Sequence, residues 1–165
     1  MTQESNANLA SIEAIRQLKA RYCRLVDTKQ WAQLKQQLTD DARLEGFGTI
    51  DDGVSPTAFV DALTDILASA VTIHHVHNPE IQILGEDSAR GIWAMVDYVQ
   101  FANVSEHAGG NLGWVGWGYY EEEYAKVSSD WRISHMRLVR VRMDVLRTDY
   151  PAVKPGRIAP TLDWL

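Results

Sequence analysis

The sequence predicts an α+β fold in which helices pack on one face of a curved antiparallel sheet, and three observations carry that reading. Apolar residues recur at helical spacing only before residue 70, and long stretches of strand-forming residues joined by short turns fill the chain from 71 to 146. A chain of 165 residues with 45% hydrophobic and 23% charged residues has the make-up of a folded domain, not of a disordered segment. Helices first and strands afterwards is the pattern of the α+β class. One domain spanning 1–165 is expected, with a core from about 10 to 146 and a C-terminal arm over 147–165.

From Leu9 to Val26, Ile12, Ile15, Leu18, Tyr22 and Leu25 follow one another at spacings of three and four, one face of a helix, with Ser11 or Asn8 as its cap. Asp27 and Thr28 break the pattern and are the candidate N-caps of a shorter helix carrying Trp31, Leu34 and Leu38. A turn then leads to a short strand around Arg43 to Phe47. Ser55 and Pro56 give a third helix its cap and its first position, and that helix runs to about Ala70. Val71 to Ile83 reads as a strand bent at Asn78 and Pro79, because proline cannot donate to a ladder. Strands over 89–102, 112–127 and 131–146 follow, separated by the turns GEDS, SEHAGGN and VSSD. The remainder holds three of the five prolines and ends on Leu162, Trp164 and Leu165, an apolar end expected to dock over a cavity mouth or on a partner, with a frayed terminus as the competing reading.

Bulk properties narrow the function. A formal charge of -6 with no basic cluster argues against nucleic acid as a partner. The apolar runs are too short for a membrane span, and MTQESNANLA lacks the charged start of a secretory signal, so a cytoplasmic location is expected. The single cysteine, Cys23, excludes an internal disulfide and reads as a small apolar filler on a buried helix face. No dinucleotide, phosphate-loop or serine-nucleophile motif is present.

Chemistry concentrates in VTIHHVHNPEIQI, which holds three of the five histidines. In a strand His74 points to one face while His75 and His77 share the other. An imidazole facing a cavity is readily tuned near neutral pH, which makes His74 the candidate centre; an ordinary half-buried strand histidine is the competing reading. A metal use of His75 and His77 with Glu80 lacks a third ligand at fixed spacing, so no metal and no cofactor are expected. Asp97 sits inside IWAMVDYV, where a carboxylate is costly unless paired or protonated. Gly113, Gly116 and Gly118 alternate with Trp114, Trp117, Tyr119 and Tyr120, which suggests a bend or room for a ligand beside an aromatic wall; plain core is the alternative.

The segments IEAIRQLKARYCRLVDTKQW, THHVHNPEI, ARGIWAMVDYV and YYEEEYAKVSSDWRI resemble the SnoaL-like branch of the nuclear transport factor 2-like superfamily, over residues from about 10 to 146. The resemblance implies a cone-shaped α+β barrel, three N-terminal helices packed on a strongly curved antiparallel sheet, with a deep apolar pocket. Within the branch the chain is most similar to bile-acid 7-alpha-dehydratases, whose tyrosine, helix aspartate, strand histidine and second aspartate match Tyr22, Asp27, His74 and Asp97. It is also similar to scytalone dehydratase and a dehydrochlorinase, which pair an aspartate and a histidine at positions like Asp27 and His74; the second histidine of scytalone dehydratase has no counterpart in GWVGWGYY.

By this resemblance Asp27 orients His74, His74 takes a proton from carbon near a carbonyl, Tyr22 donates to the developing oxyanion, and a protonated Asp97 donates to a leaving hydroxyl. Met95, Trp114, Trp117, Tyr119 and Tyr120 are the expected substrate-binding residues. The implied function is a dehydratase-like, isomerase-like or polyketide cyclase-like activity on a small apolar, cyclic substrate. A non-catalytic binding or dimerisation module and an epoxide-opening hydrolase are the alternatives. The apolar load on the strands further predicts a homodimer or larger homo-oligomer.

Overall fold

A computed structural model describes residues 3–153 and 161–162. The first helix, α1, spans Gln3–Asp27. Ile15, Leu18, Tyr22 and Leu25 form its buried stripe, each at most 2% exposed. Ser11 and Asn8 are not caps: no proline or glycine interrupts Gln3–Leu9, so the helix continues outward beyond its buried face. Cys23 is buried on this helix, and burial pushes its thiol to about 11, well outside a reactive range.

Helix α2 is a single short turn, Trp31–Lys35, with Gln30 at the N-cap position and no side-chain cap. Neither Asp27 nor Thr28 caps it. Asp27 is engaged elsewhere, and the Thr28 hydroxyl donates back to the carbonyl of Arg24. Strand β1 runs Leu38–Glu45, earlier than Arg43–Phe47. Its turn-like TDD is accommodated because Asp40 and Asp41 face solvent while Leu38, Ala42 and Leu44 are buried, with a register irregularity between Leu38 and Arg43. Helix α3, Pro56–Leu67, begins as its sequence dictates: proline stands first, and Ser55 accepts from the N–H of Ala58 at 3.2 Å.

The remaining strands, β2 (Val71–Ile83), β3 (Ser88–Ser105), β4 (Asn111–Val127) and β5 (Asp130–Leu146), form an antiparallel meander. The register of β2 slips between His77 and Glu80, where Asn78 adopts φ +49° and Pro79 lacks a donor. The sheet order is β1-β5-β4-β3-β2, and β1 pairs with β5 in parallel. The sheet is therefore mixed, not wholly antiparallel. The chain passes through α3 between the two edge strands, so β1 enters on the opposite edge from β2.

One face of the sheet carries Trp93, Met95, Val99, Tyr120, Ile133 and Met136 into a core shared with Phe59 of α3 and Leu34 of α2. The rings of Phe47 and Phe59 meet edge to face at 4.8 Å, which pins the loop after β1 onto α3. No helix among the described residues is long and apolar enough to cross a membrane. Of the C-terminal arm, the carbonyl of Pro151 accepts from Gln100 at 2.8 Å and Leu162 is 52% exposed; Trp164 and Leu165 lie outside the described residues.

Candidate active site

The end of α1 and the middle of β2 meet at a two-point contact. One Asp27 oxygen accepts the backbone N–H of His74 at 2.9 Å, and the other lies 2.7 Å from His74 Nδ1. Carboxylate oxygens accept hydrogen bonds, so this contact favours the tautomer with the ring proton on Nδ1, which in a neutral ring leaves the lone pair on Nε2. Because one carboxylate holds both the main chain and the ring, the imidazole is fixed in orientation as well as in tautomer. The turn after Asp27 is tied down too. Lys29, at φ +60°, donates to Thr72 Oγ1 at 2.8 Å, and Thr72 shares the inward face of β2 with His74. His75 and His77 face outward and are exposed, and among the described residues no group of three or more histidine, cysteine, aspartate or glutamate side chains is placed to hold a metal.

Directly across the ladder from His74 stands Asp97, 2% exposed and on the same face of the sheet. Its partner is Arg140 of β5, whose two terminal nitrogens donate to its two oxygens at 2.7 and 2.5 Å. Burial raises the Asp97 pKa, but the hydrogen bonds and charge of Arg140 outweigh burial and hold the carboxyl below its ordinary value. Asp97 is thus an anion at neutral pH. The expectation of a protonated acid fails, because sequence reading did not identify Arg140. Alternation in RLVRVRMD places Arg140 and Arg142 alike on the face shared with Leu138, and only the register shift between them in the folded sheet turns Arg142 outward and leaves Arg140 facing Asp97.

The glycines of β4 have a related explanation. Asp97 and Arg140 reach each other over Gly116, where an added Cβ would lie 1.8 Å from Arg140 Nη1 and 2.3 Å from an Asp97 oxygen. At Gly113, φ is +149° and a Cβ would lie 1.9 Å from the carbonyl of Val99. The room read from these glycines is filled by an ion pair and a close backbone approach.

Tyr22, His74, Asp97, Trp114, Tyr120 and Arg140 line a cavity of about 60 Å³, walled otherwise by Thr49 and by apolar side chains including Ile50, Leu63 and Ile66. Phe47, Thr49, Trp114 and Arg140 also border a wider pocket of about 370 Å³ reaching Met143 and Val145, so the two spaces adjoin. Burial pushes the hydroxyls of Tyr22 and Tyr120 well above the ordinary tyrosine range, which keeps both as donors. Met95 is buried on the same face but does not border the cavity. Trp117 and Tyr119 fall outside it for a simple reason: with Trp114, Gly116 and Tyr120 inward, strand alternation turns Trp117 and Tyr119 outward. There Trp117 lies under Arg142, at 5.5 Å.

Comparison with known proteins agrees with this architecture. A protein named probable cyclase FGR4, of Gibberella zeae, is 28% identical over 142 residues, covering 80% of this chain and 92% of its own length. A scytalone dehydratase-like protein from Novosphingobium aromaticivorans superposes with a TM-score of 0.75 at 17% identity, covering 94% of this chain and 99% of that one. Hexachlorocyclohexane dehydrochlorinase LinA-type3 from Novosphingobium barchaimii gives 0.74 at 20% identity, covering 92% and 99%. These structural likenesses establish the fold. A family model described as a SnoaL-like domain matches residues 7–137, most of the chain, and the protein belongs to that family, within the nuclear transport factor 2-like superfamily.

Proposed function

We propose that the protein is a small-molecule lyase or isomerase, dehydratase-like or cyclase-like, acting on an apolar cyclic substrate. The observation that carries this reading is the two-point contact of Asp27 with His74, which leaves Nε2 as an oriented base on the inward face of β2. In the proposed cone the sheet curls around the cavity and the helices close it.

In a dehydration, His74 Nε2 takes the proton from the carbon next to a carbonyl, the C–H pair becomes a C=C bond, the neighbouring C–O bond breaks, and the proton held on Nε2 passes to the departing hydroxide, which leaves as water. Tyr22 donates to the carbonyl oxygen as charge develops there. Arg140 spends two of its five N–H groups on Asp97. Its remaining N–H groups hydrogen-bond to the leaving oxygen and stabilise the charge that develops there, while the proton itself comes from His74, since an ionised Asp97 has none to give. In an isomerisation the proton returns to a different carbon of the conjugated system. No electrons are exchanged with a cofactor in either case.

The experiment is a panel of cyclic β-hydroxy ketones and β,γ-unsaturated ketones, followed by the absorbance of the conjugated enone. Turnover is expected on members of the panel, with a loss of about 10²–10⁴ in His74→Ala. Turnover unchanged in His74→Ala sinks the proposal. A hydrolytic reading is favoured by one observation, the ionised Asp97 beside the cavity, since a carboxylate can activate water. It ranks second because Arg140 occupies both oxygens. Cyclic epoxides in the same panel, with diol formation abolished in Asp97→Asn, would promote it.

A further inference from the structure

Beneath the cavity lies a charged pair that the proposed chemistry does not use. Lys19 of α1 and Glu122 of β4 form an ion pair with both side chains at 0% exposure. The second oxygen of Glu122 accepts the hydroxyl of Tyr124 at 2.5 Å, and that hydroxyl in turn accepts the Trp93 indole N–H at 2.7 Å. The Lys19 ammonium lies 3.5 Å from the ring centre of Tyr120 and 4.6 Å from that of Tyr22. It also stands 3.8 Å from the sulfur of Met136.

Stability does not account for such a pair. Taking both ions out of water costs as much as their attraction returns, and apolar residues of similar volume are often neutral or better in their place. The pair's position suggests another use. Tyr22 follows Lys19 by three residues on the same helix face, and both tyrosines under which the ammonium lies border the cavity. A cation against a ring face is attracted most strongly when desolvated, and it restricts where the ring can sit.

We propose that the Lys19–Glu122 pair is a positioning device for the active site, holding the rings of Tyr22 and Tyr120 from below so that their hydroxyls stay aimed at the substrate oxygen. Glu122 fixes the ammonium, and Tyr124 with Trp93 fixes Glu122, so the tyrosines rest on a chain of satisfied polar groups anchored in the sheet. The inference rests on the reading of Tyr22 as the donor to that oxygen.

The test is the double variant Lys19→Met/Glu122→Gln, which removes both charges together, leaves no buried ion unpaired and keeps an acceptor for Tyr124. It is compared with Tyr22→Phe and with wild type. The expected result is a folded protein of near wild-type melting temperature whose kcat falls about tenfold or more with KM little changed. In tyrosine-labelled NMR spectra of the same protein without substrate, the Tyr22 and Tyr120 ring signals should shift and broaden. A folded double variant with wild-type kcat and unmoved ring signals overturns the proposal, and so does a double variant that cannot fold, since the pair would then be a structural requirement. If Tyr22→Phe keeps full turnover, the donor role of Tyr22 fails instead; if it loses turnover while the double variant does not, only the positioning role fails.

Discussion

Asp27 was legible in the sequence in two incompatible ways, as the cap of a second helix and, by family resemblance, as the partner of a histidine 47 residues away. Local spacing favoured the cap; the fold gives it to His74. Asp27→Asn is expected to leave the fold intact and to present an amide that can donate, favouring the wrong tautomer, so kcat should fall on the order of a hundredfold or more while thermal stability changes little. The double variant with His74→Ala should be scarcely slower than His74→Ala alone, because groups acting as a unit are not additive. Asp97 makes the opposite case: its need of a partner is legible in IWAMVDYV and its charge is not, since the ion pair that sets the charge depends on a residue 43 positions on. Its carboxyl is held below 3.8, so the unfolded state binds more protons in the window beneath that value. The stabilisation it provides is present above about pH 4 and is lost as pH falls through the folded value. Asp97→Asn should cost about 3 kcal/mol at pH 7 by leaving Arg140 without its counter-ion. In denaturant melts the gap from wild type should narrow as the pH drops below about 4; a gap that widens on acidification contradicts an ionised Asp97.

Strands were the most readable elements because period-two alternation and β-branched residues mark them over long stretches, and β2 to β5 fall within a few residues of their expected bounds. Alternation also held the answer for β4, where Trp114 and Tyr120 share a face that Trp117 and Tyr119 cannot. What alternation withholds is which face is the inner one, because β4 has large aromatics on both. The parallel pairing of β1 was illegible for a related reason: a short edge strand containing Thr39, Asp40 and Asp41 has the composition of a turn, and only β5 beside it makes it a strand. Gly116 tests the explanation at this scale. Gly116→Ala places a methyl group against Arg140 and Asp97, and the forced shift should cost about 1–3 kcal/mol, a melting temperature lower by roughly 4–10 °C. Turnover should fall with it. A variant that melts with wild type shows that the ion pair does not need the glycine.

For the whole molecule, helix order, strand number and the inward set Tyr22, His74 and Asp97 could be read or inferred before folding, whereas Arg140 and the buried pair of Lys19 and Glu122 could not. Their partners are joined by register across three strands or between α1 and β4, and register is set by the completed sheet. The outer face of that sheet leaves Ile73, Ile92 and Tyr119 at least 41% exposed. A homodimer or larger assembly covering this face is the expected state at tens of micromolar, and light scattering giving the mass of one 18.6 kDa chain would count against it. The proposed chemistry turns on one contact, in which Asp27 fixes the neutral His74 ring with its proton on Nδ1 and its lone pair on Nε2. The most direct measurement is the pair of ring nitrogen shifts of His74 in labelled protein, at a pH where the ring is neutral. A protonated Nδ1 and a bare Nε2, reversed or averaged in Asp27→Asn, is the result expected; a bare Nδ1 in the wild-type protein would contradict the account.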